Sequence, residues 1–382
     1  MPDYEILPLT LVTGFLGSGK STLLADALQG DAARDTAVLV NEFGAVGLDH
    51  LLVGAVDAQT LLLDNGCVCC SIRGELKDAL ISLFSRRARG EIPPFRRVVL
   101  ETTGLATPAP IIATLLADPV IRRHYALHAT VTVVDALHAA QQEARHPEWR
   151  AQVTAADRLL ISKADLAAPA AVDALRARLA TLNPAADIVV RETAPAGLLD
   201  LPDLSESSNS SNSSNSSNSS NSSNSSNPFD LSGLLFAPAS APDLLQRLGA
   251  ATRAAPPHAA VRDDITATCL QIDEPIDWQV FTLWFTMLLN RHGDRILRVK
   301  GLLAIAGSDR LAVLHAVQHL VHPIRHLDAE RGADGTDDPR RARDTATAPT
   351  MSRLVFITEG IDGRQIDASY RHFCSSLEDS AH

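Results

Sequence analysis

The sequence predicts an α/β fold, in which a mostly parallel sheet is flanked by helices, followed by a smaller α+β C-terminal domain. Between residues 8 and about 200, short apolar runs alternate with segments of helical periodicity. That alternation is typical of a parallel sheet covered by helices on both faces. The runs are apolar at successive positions, as expected for strands buried on both faces. From residue 262 onward the pattern changes to strands grouped around two helices, which predicts the second domain.

The apolar runs of the first domain predict strands at 8–13, 37–40, 60–63, 97–100, 129–134, 158–161 and 188–190. Helical periodicity between them predicts helices at 21–28, 75–87, 110–117 and 168–182. In the second domain, strands are expected at 266–272, 296–306 (one strand or two), 311–320 and 354–358. Asp277 is a typical N-cap for a helix that runs to about residue 291, and a short helix is expected at 366–377.

A low-complexity tract separates the two domains. Seven Ser-Ser-Asn repeats between residues 207 and 227 contain no apolar side chain, so this tract is expected to be disordered. Its regularity fits a natural insert or an engineered linker, and both origins stay open. We therefore predict a first domain at 1–204, a linker rich in Ser, Asn, Pro and Ala at 205–261, and a second domain at 262–382.

Charge and composition argue against some classes of partner. The formal net charge of -11 is unfavourable for binding a nucleic-acid backbone, which requires a basic face. The sequence contains neither a run of eighteen apolar residues nor a basic N-terminal leader, so a membrane span and a cleaved signal are not expected. The prediction is a cytoplasmic protein without nucleic-acid or membrane partners.

Residues 14–21 match the pattern of a phosphate-binding loop, Gly-x-x-x-x-Gly-Lys-Ser, placed between an apolar strand and a helix. Glycines allow the backbone amides to point at phosphate, and the helix N-terminus favours negative charge. We expect Lys20 to reach the β- and γ-phosphates and the Ser21 hydroxyl to bind Mg²⁺. The residues predicted to bind the nucleotide in this loop are Gly14, Gly17, Ser18, Gly19, Lys20, Ser21 and Thr22.

Two further strands end in candidate site residues. The strand at 97–100 leads into Glu101, which is expected to hold Mg²⁺ through water, and the Gly104 amide is expected to face the γ-phosphate. With Lys20 and Ser21, these two residues complete the predicted catalytic set. Residues 41–44, which follow the second strand, are a candidate switch loop because ligands of α/β folds bind at the carboxyl ends of strands.

The strand at 158–161 is followed by Lys163 and Asp165, which predict recognition of guanine. A carboxylate at Asp165 can accept hydrogen bonds from two neighbouring N–H groups of guanine, whereas adenine presents no such pair. The Lys163 stem can lie across the base. The predicted nucleotide is therefore GTP.

Three of the five cysteines are close together in the sequence, at Cys67, Cys69 and Cys70. An odd count with two adjacent cysteines is not the pattern of a disulfide framework. Thiolates favour zinc or Cu(I), and three of them leave a tetrahedral ion one protein ligand short, so the site would be open. Glu42 is a candidate additional ligand. A redox centre and buried small apolar side chains are the alternatives.

Taken together, these motifs resemble the CobW-like family of SIMIBI-class P-loop GTPases. The resemblance extends to the C-terminal domain through the phrases at 297–301, 316–319 and 353–357. It implies GTP hydrolysis, zinc bound by Cys67, Cys69 and Cys70, and transfer of zinc to a client metalloenzyme, with a homodimer as a further expectation. Relatives that insert cobalt or activate nitrile hydratase keep cobalt open. One departure is Ser162, which stands where many GTPases have Asn.

Two rival functions stay open on these residues. The first is a metal-sensing regulatory GTPase, and the second is a P-loop kinase or phosphotransferase, against which Lys163, Asp165 and the cysteine cluster argue. A second metal site formed by His315, His319, His322 and His326 is the less favoured interpretation of these histidines. A helix would place all four on one face, whereas a strand would place only His315 and His319 together.

Overall fold

The computed structural model of the chain describes residues 6–27, 35–40, 60–62, 72–191, 265–326 and 351–380. It confirms the predicted fold class: an N-terminal parallel sheet flanked by helices is followed by a C-terminal antiparallel sheet with helices. The linker at 205–261 lies outside the described residues, so the domain boundaries stay a prediction. Among the described helices, none combines the length and the apolar character needed to cross a membrane.

The N-terminal sheet has seven described strands, all parallel, in the order β3-β2-β4-β1-β5-β6-β7. They are β1 (Leu7–Gly14), β2 (Thr36–Val40), β3 (Thr60–Leu62), β4 (Arg97–Glu101), β5 (Tyr125–Asp135), β6 (Arg158–Ser162) and β7 (Asp187–Val190). The central strands β1, β4, β5 and β6 bury apolar side chains on both faces. All seven predicted strands are therefore confirmed, with small changes in their ends.

Seven α-helices of the N-terminal part are described. They are α1 (Lys20–Ala27), α2 (Ile72–Ala88), α3 (Pro108–Ala117), α4 (Pro119–His124), α5 (Ala139–Arg145), α6 (Pro147–Ala155) and α7 (Pro169–Leu182). The sequence patterns did not predict α4, α5 and α6. Helix α4 is specified locally by Asp118, whose carboxylate accepts hydrogen bonds from the Val120 and Ile121 amides at 2.8 and 3.1 Å.

The C-terminal sheet is antiparallel, in the order β11-β10-β9-β13-β8, with β12 paired to β10. Its elements are β8 (Ile265–Ile272), α8 (Trp278–His292), β9 (Ile296–Ala304), β10 (Leu311–Val317), β11 (Leu320–Val321), β12 (Arg325–His326), β13 (Ser352–Glu359) and α9 (Gly363–Ser380). Asp277 caps α8, as predicted, by accepting from the Gln279 and Val280 amides. The segment expected at 311–320 divides into β10 and β11, and the last helix is longer than predicted.

The two faces of the C-terminal sheet pack against different partners. One face meets α8 and α9 through an aromatic core that includes Phe281, Trp284 and Phe356. On the other face, Leu302 and Ile357 lie in one apolar cluster with Ala185 of the N-terminal part. The C-terminal sheet therefore packs directly against the domain that contains the phosphate-binding motif.

Candidate nucleotide site

The predicted phosphate-binding loop connects the end of β1 to the start of α1. Gly17 and Gly19 have φ angles of 70° and 93°, a region that side chains other than glycine rarely adopt. The Ser18 amide donates to the Phe15 carbonyl at 3.1 Å, which closes the loop. The loop is therefore shaped as its sequence predicts, with α1 starting at the predicted phosphate lysine.

Lys20 lies inside this loop rather than on the protein surface. Its side chain is buried, and the ammonium group donates to the Gly14 carbonyl at 2.8 Å and to the Phe15 carbonyl at 3.2 Å. Both acceptors belong to the loop that Lys20 is predicted to serve. The positive charge is thus held next to the amides expected to receive phosphate.

Ser21 and Glu101 meet at the carboxyl edge of the sheet. The Ser21 hydroxyl donates to a carboxylate oxygen of Glu101 at 2.9 Å, and Glu101 is only 5% exposed. Strands β1 and β4 pair in a register that places Glu101 beside Val12, which brings Glu101 to the loop. A hydroxyl and a carboxylate are oxygen ligands that suit Mg²⁺, so the residues present fit the predicted metal.

Gly104 packs against the phosphate-binding loop at a distance that only glycine allows. A Cβ atom at this position would lie 2.5 Å from the Leu16 amide nitrogen and 2.7 Å from the Leu16 Cα. The preceding residues are also tied to β1, because the Thr102 amide donates to the Val12 carbonyl and the Thr102 hydroxyl to the Thr13 hydroxyl, both at 2.9 Å. The turn after β4 and the loop after β1 therefore form one packed unit.

We expect Gly104→Ala to lower kcat for GTP hydrolysis by about 10²-fold, because the new Cβ displaces the backbone of Leu16. Steady-state phosphate release at saturating GTP measures this. Gly74→Ala is the control, since nothing lies within 4 Å of its added Cβ and Gly74 lies within helix α2. Equal rates for the Gly104 variant and the wild type would show that this contact does not matter for the reaction.

The residues predicted to recognise guanine follow β6. Ser162, the departure from the usual Asn, donates its hydroxyl to the Ser18 carbonyl at 2.6 Å and thereby ties β6 to the phosphate-binding loop. Lys163 has a φ angle of 55°, and its ammonium group donates to the Gly17 carbonyl at 2.7 Å. Asp165 is exposed in the short 3₁₀ turn Ala164–Leu166 that follows. The structure thus attaches Ser162 and Lys163 to the loop and leaves Asp165 exposed in the turn that follows.

Asp135, at the end of β5, is a site residue that the sequence motifs did not reveal. Its carboxylate accepts from the Lys163 ammonium at 2.8 Å and from the His138 ring at 2.9 Å. Burial alone would raise the pKa of Asp135, but these hydrogen bonds hold it below its usual range. A carboxylate at the carboxyl end of a buried strand was the available signal, as for Glu101. Asp135 fixes the Lys163 side chain against the loop.

A cavity of about 360 Å³ runs along the outer side of the loop. It is lined by loop residues, by Asp135 and Lys163, and by one side of α5: Phe15, Leu16, Gly17, Asp135, His138, Gln141, Gln142, Arg145, His146 and Lys163. Its size falls within the range of small-molecule sites in proteins. The cavity adjoins the loop at the residues that hold the Lys163 ammonium.

The predicted metal ligands Cys67, Cys69, Cys70 and Glu42, and the switch loop at 41–44, lie outside the described residues. Within the described ranges, no group of three or more His, Cys, Asp or Glu side chains is arranged to hold a metal ion. The pairing predicted for the histidines in a strand is wrong. His319 lies in the turn after β10 and pairs with Asp294 at 2.9 Å, while the hairpin brings the His315 and His322 rings to 5.8 Å.

His315 and His322 are packed in a charged environment between the two sheets. Burial, together with the Arg298 and Lys300 cations, lowers the pKa of His322 to about 4 and that of His315 well below its usual range, although Asp157 opposes this. The charged and titratable groups that face His322 are Asp157, Arg298, Lys300, His315 and Arg325. The folded protein therefore keeps both rings neutral at pH values where an exposed histidine is already charged.

The free energy of unfolding should fall as the pH is lowered from 6.5 towards 4. In this window the unfolded chain takes up a proton that folded His322 does not, which costs about 1.4 kcal/mol per pH unit for one such group. Above pH 6.5, His322 does not lower the free energy of unfolding. The loss grows as the pH falls from 6.5 towards the folded pKa of His322. Urea unfolding of wild type and His322→Gln at pH 7 and pH 5 checks this, with His319→Gln as the exposed control. Equal losses for wild type and His322→Gln would contradict it.

Two family models match most of the described sequence. The model described as "CobW/HypB/UreG, nucleotide-binding domain" matches residues 8–190. The model described as "Cobalamin synthesis protein cobW C-terminal domain" matches residues 265–373. The two matches cover the N-terminal parallel sheet and the C-terminal antiparallel sheet, respectively.

Individual relatives agree with the family models. The zinc chaperone YjiA of Escherichia coli K12 is 33% identical over 317 residues, which are 82% of this chain and 87% of the relative. The zinc-regulated GTPase metalloprotein activator 1 of Schizosaccharomyces pombe is 32% identical over 190 residues, which are 48% of this chain and 45% of the relative. The crystal structure of the Zn(II)-bound YjiA GTPase from E. coli superposes with a TM-score of 0.60 at 25% identity and covers 96% of this chain and 99% of that one.

Proposed function

Because this chain belongs to the CobW/HypB/UreG family of P-loop GTPases and carries a CobW-type C-terminal domain, we propose that it hydrolyses GTP to deliver zinc to client metalloenzymes. GTP binding is supported mainly by one observation: the phosphate-binding loop that contains Lys20 is in direct contact with Glu101 and Gly104. The metal part is supported by the relatives, which are described as zinc chaperones and as a zinc-regulated activator.

In this proposal the phosphate site is built from residues of three neighbouring segments. The amides of 14–19 and the Lys20 ammonium hold the β- and γ-phosphates. Ser21 and Glu101 would hold Mg²⁺, which neutralises charge on the phosphate oxygens when it is bound. The Gly104 amide faces the γ-phosphate, so that the turn after β4 senses whether GTP or GDP is present.

The guanine-binding site is proposed on the side of the phosphate-binding loop that contacts Ser162 and Lys163. Asp165 accepts from guanine, and the Lys163 stem lies across the base while its ammonium group stays on the Gly17 carbonyl. Ser162 takes over the attachment of β6 to the loop, with its hydroxyl on the Ser18 carbonyl. Ser162, which stands where many GTPases have Asn, thus contacts the loop with a shorter side chain.

Zinc is the proposed cargo, bound by Cys67, Cys69 and Cys70 with Glu42 as an additional ligand. The segment that contains these cysteines leaves the sheet at Leu62, the end of β3, and rejoins the described chain at α2. The described strands of this sheet are all parallel, so β3 ends at the same edge as β1 and β4. This placement supports a metal site close to the loops that sense the nucleotide.

Metal content of anaerobically purified protein tests the cargo. We expect about one zinc per chain in the wild type, and loss of that zinc in Cys67→Ala. The control is Cys269→Ala, because Cys269 lies in β8, far along the chain from the cluster. Cobalt instead of zinc in the wild type would favour the cobalt-inserting alternative, and retention of zinc in Cys67→Ala would refute the proposed ligands.

A zinc-transfer assay distinguishes a GTPase that delivers zinc from one that only senses the metal. We expect the chain loaded with zinc to activate an apo-metalloenzyme with GTP and not with a non-hydrolysable analogue. Zinc affinity should also differ between the analogue-bound and GDP-bound forms, because only one of them keeps the γ-phosphate contacts. A change in zinc affinity without any transfer would instead identify a metal-sensing regulatory GTPase.

A further inference from the structure

Gln152, on helix α6, holds the turn that contains Gly104. Its side chain is 0% exposed, and its Nε2 atom donates to the Gly104 carbonyl and to the Ala106 carbonyl, both at 3.0 Å. The turn itself is closed by the Ala106 amide, which donates to the Thr103 carbonyl at 3.1 Å. Both acceptors are carbonyl oxygens, so the amide nitrogen of Gln152 must face them. One side chain therefore fixes the carbonyl groups of the two residues on either side of Leu105.

The same helix also touches the phosphate-binding loop. Trp149, one turn before Gln152, is buried in an apolar cluster that includes Phe15 of the loop. The centroid of the Phe15 ring lies 4.5 Å from that of His146, the residue at the N-cap position of α6. Helix α6 thus contacts both the phosphate-binding loop and the turn that is proposed to sense the γ-phosphate.

The C-terminal end of α6 is held by the other domain. Arg298 of β9 donates to the Ala155 carbonyl, the last residue of the helix, and forms an ion pair with Asp157. The Lys300 ammonium lies 3.3 Å from the same carboxylate. Both cationic side chains are buried, and together they hold the pKa of Asp157 well below its usual range against the effect of burial. The C-terminal sheet therefore holds the C-terminal end of α6 through two buried cations and Asp157, whose side chain is 14% exposed.

The last turn of α6 is also rigid within its own domain. The Asn183 side-chain amide donates to the Val153 and Ala156 carbonyls, both at 2.9 Å. The Thr132 hydroxyl donates to the Gln152 carbonyl at 2.8 Å. These bonds leave little freedom between Gln152 and Asp157, so a displacement at one end of this segment is transmitted to the other.

We propose that Gln152 is a positioning residue for GTP hydrolysis, and that α6 connects the Gly104 turn to the C-terminal domain through Asp157 and Arg298. The side-chain amide of Gln152 binds the turn and not the Lys20 loop or the base site, so it acts by fixing the Gly104 and Ala106 carbonyls and, through them, the turn that carries the Gly104 amide. This role rests on the proposed GTP hydrolysis at this site and not on zinc delivery. Failure of zinc transfer with intact GTP hydrolysis would refute the delivery function alone.

Gln152→Met tests the positioning role, because methionine fills a similar volume but donates no hydrogen bond. We expect kcat for GTP hydrolysis to fall about 10- to 100-fold, while KM and the affinity for GDP change by less than about 3-fold. Circular dichroism and urea unfolding establish that the variant is folded. Wild-type kcat in a folded Gln152→Met protein overturns the proposal, as does a loss that appears only in KM.

Gln152→Glu tests the hydrogen bond through the pH dependence of kcat, which a purely structural role of Gln152 would leave unchanged. An ionised carboxylate would face two carbonyl oxygens, whereas the protonated acid can donate one hydrogen bond. We therefore expect kcat of Gln152→Glu, relative to that of Gln152→Met, to rise as the pH is lowered from 8 to 6. A ratio that stays constant with pH contradicts the proposed hydrogen bond.

The link to the C-terminal domain is tested by the double substitution Asp157→Asn with Arg298→Met. Changing both partners removes the Arg298–Asp157 ion pair without leaving a carboxylate that lacks it, and Lys300 keeps an amide oxygen as acceptor in the asparagine that replaces Asp157. Urea unfolding establishes that the double variant is folded. We expect kcat to fall by at least about 3-fold, and the effect to be smaller when Gln152 is already Met, because both act through one helix. Arg371→Met, which breaks an exposed ion pair with Asp367 on α9, is the control. Unchanged kcat in the folded double variant, or strictly additive effects, would refute the link.

Discussion

Lys20→Met should lower kcat for GTP hydrolysis by about 10²- to 10³-fold, the size of the effect when a preorganised charge is removed from a transition state. Lys20 is buried, and its ammonium group is already held within the loop by the Gly14 and Phe15 carbonyls. A charge fixed in a site shielded from water interacts more strongly with developing phosphate charge than the same charge in solvent. Methionine keeps the apolar stem, so the packing of α1 against β1 should survive.

Lys77→Met is the matched control for this change. Lys77 lies on α2, its side chain is 38% exposed, and it pairs with Asp118 at 2.8 Å. Exposed ion pairs contribute about 0 to 1 kcal/mol, so this variant should hydrolyse GTP at the wild-type rate. Phosphate release at saturating GTP gives kcat, and a fluorescent GDP analogue gives affinity. Wild-type kcat in Lys20→Met would mean that the loop does not perform the chemistry.

The sequence predicted the N-terminal sheet because its strands are buried on both faces and therefore appear as continuous apolar runs, such as that of β4. The three helices it missed have six to nine residues. Fewer than three turns give a weak helical period, and α5 and α6 are polar at most exposed positions. Their positions are set by tertiary packing, for example by Trp149 and Val153 in the apolar cluster of Phe15.

The residues of the candidate site also fall into two groups, those that a local sequence pattern predicts and those that only the structure shows. Lys20 and Ser21 belong to a contiguous pattern and could be predicted from it, whereas Gln152 contacts Gly104 across 48 residues of chain. Ser162 contacts the Ser18 carbonyl across 144 residues. A single sequence does not reveal such contacts, because the residues that make them have ordinary local environments. For the same reason, only the hairpin geometry revealed that His315 meets His322 and not His319.

Helix α6 physically connects the C-terminal sheet to the turn that contains Gly104. The C-terminal sheet is attached to the N-terminal domain by apolar contacts around Ala185 and by the buried charges on Asp157. The charged attachment meets the end of the same helix that fixes the Gly104 turn. We expect a client that binds the C-terminal domain to influence hydrolysis through this helix, and the Asp157 and Arg298 substitutions test that route.

Asp165→Asn should exchange the base preference of the enzyme from guanine to xanthine. Guanine presents two donors to the carboxylate, and asparagine replaces one acceptor by a donor that opposes the guanine amino group. Xanthine carries a carbonyl at that position, which accepts from the asparagine amide. Loss of the two charge-assisted hydrogen bonds should reduce kcat/KM for GTP by about 10²- to 10³-fold, while kcat/KM for XTP rises.

The structure makes this test specific, because Asp165 is exposed in its turn and the neighbouring Lys163 is anchored independently on Gly17 and Asp135. The substitution should therefore leave the free energy of unfolding within about 0.5 kcal/mol and kcat for XTP close to that of the wild type for GTP. Asp173→Asn, an exposed residue of α7, is the control and should keep the guanine preference. Equal losses for GTP and XTP would place the base elsewhere, since only a residue that reads the base can invert the preference.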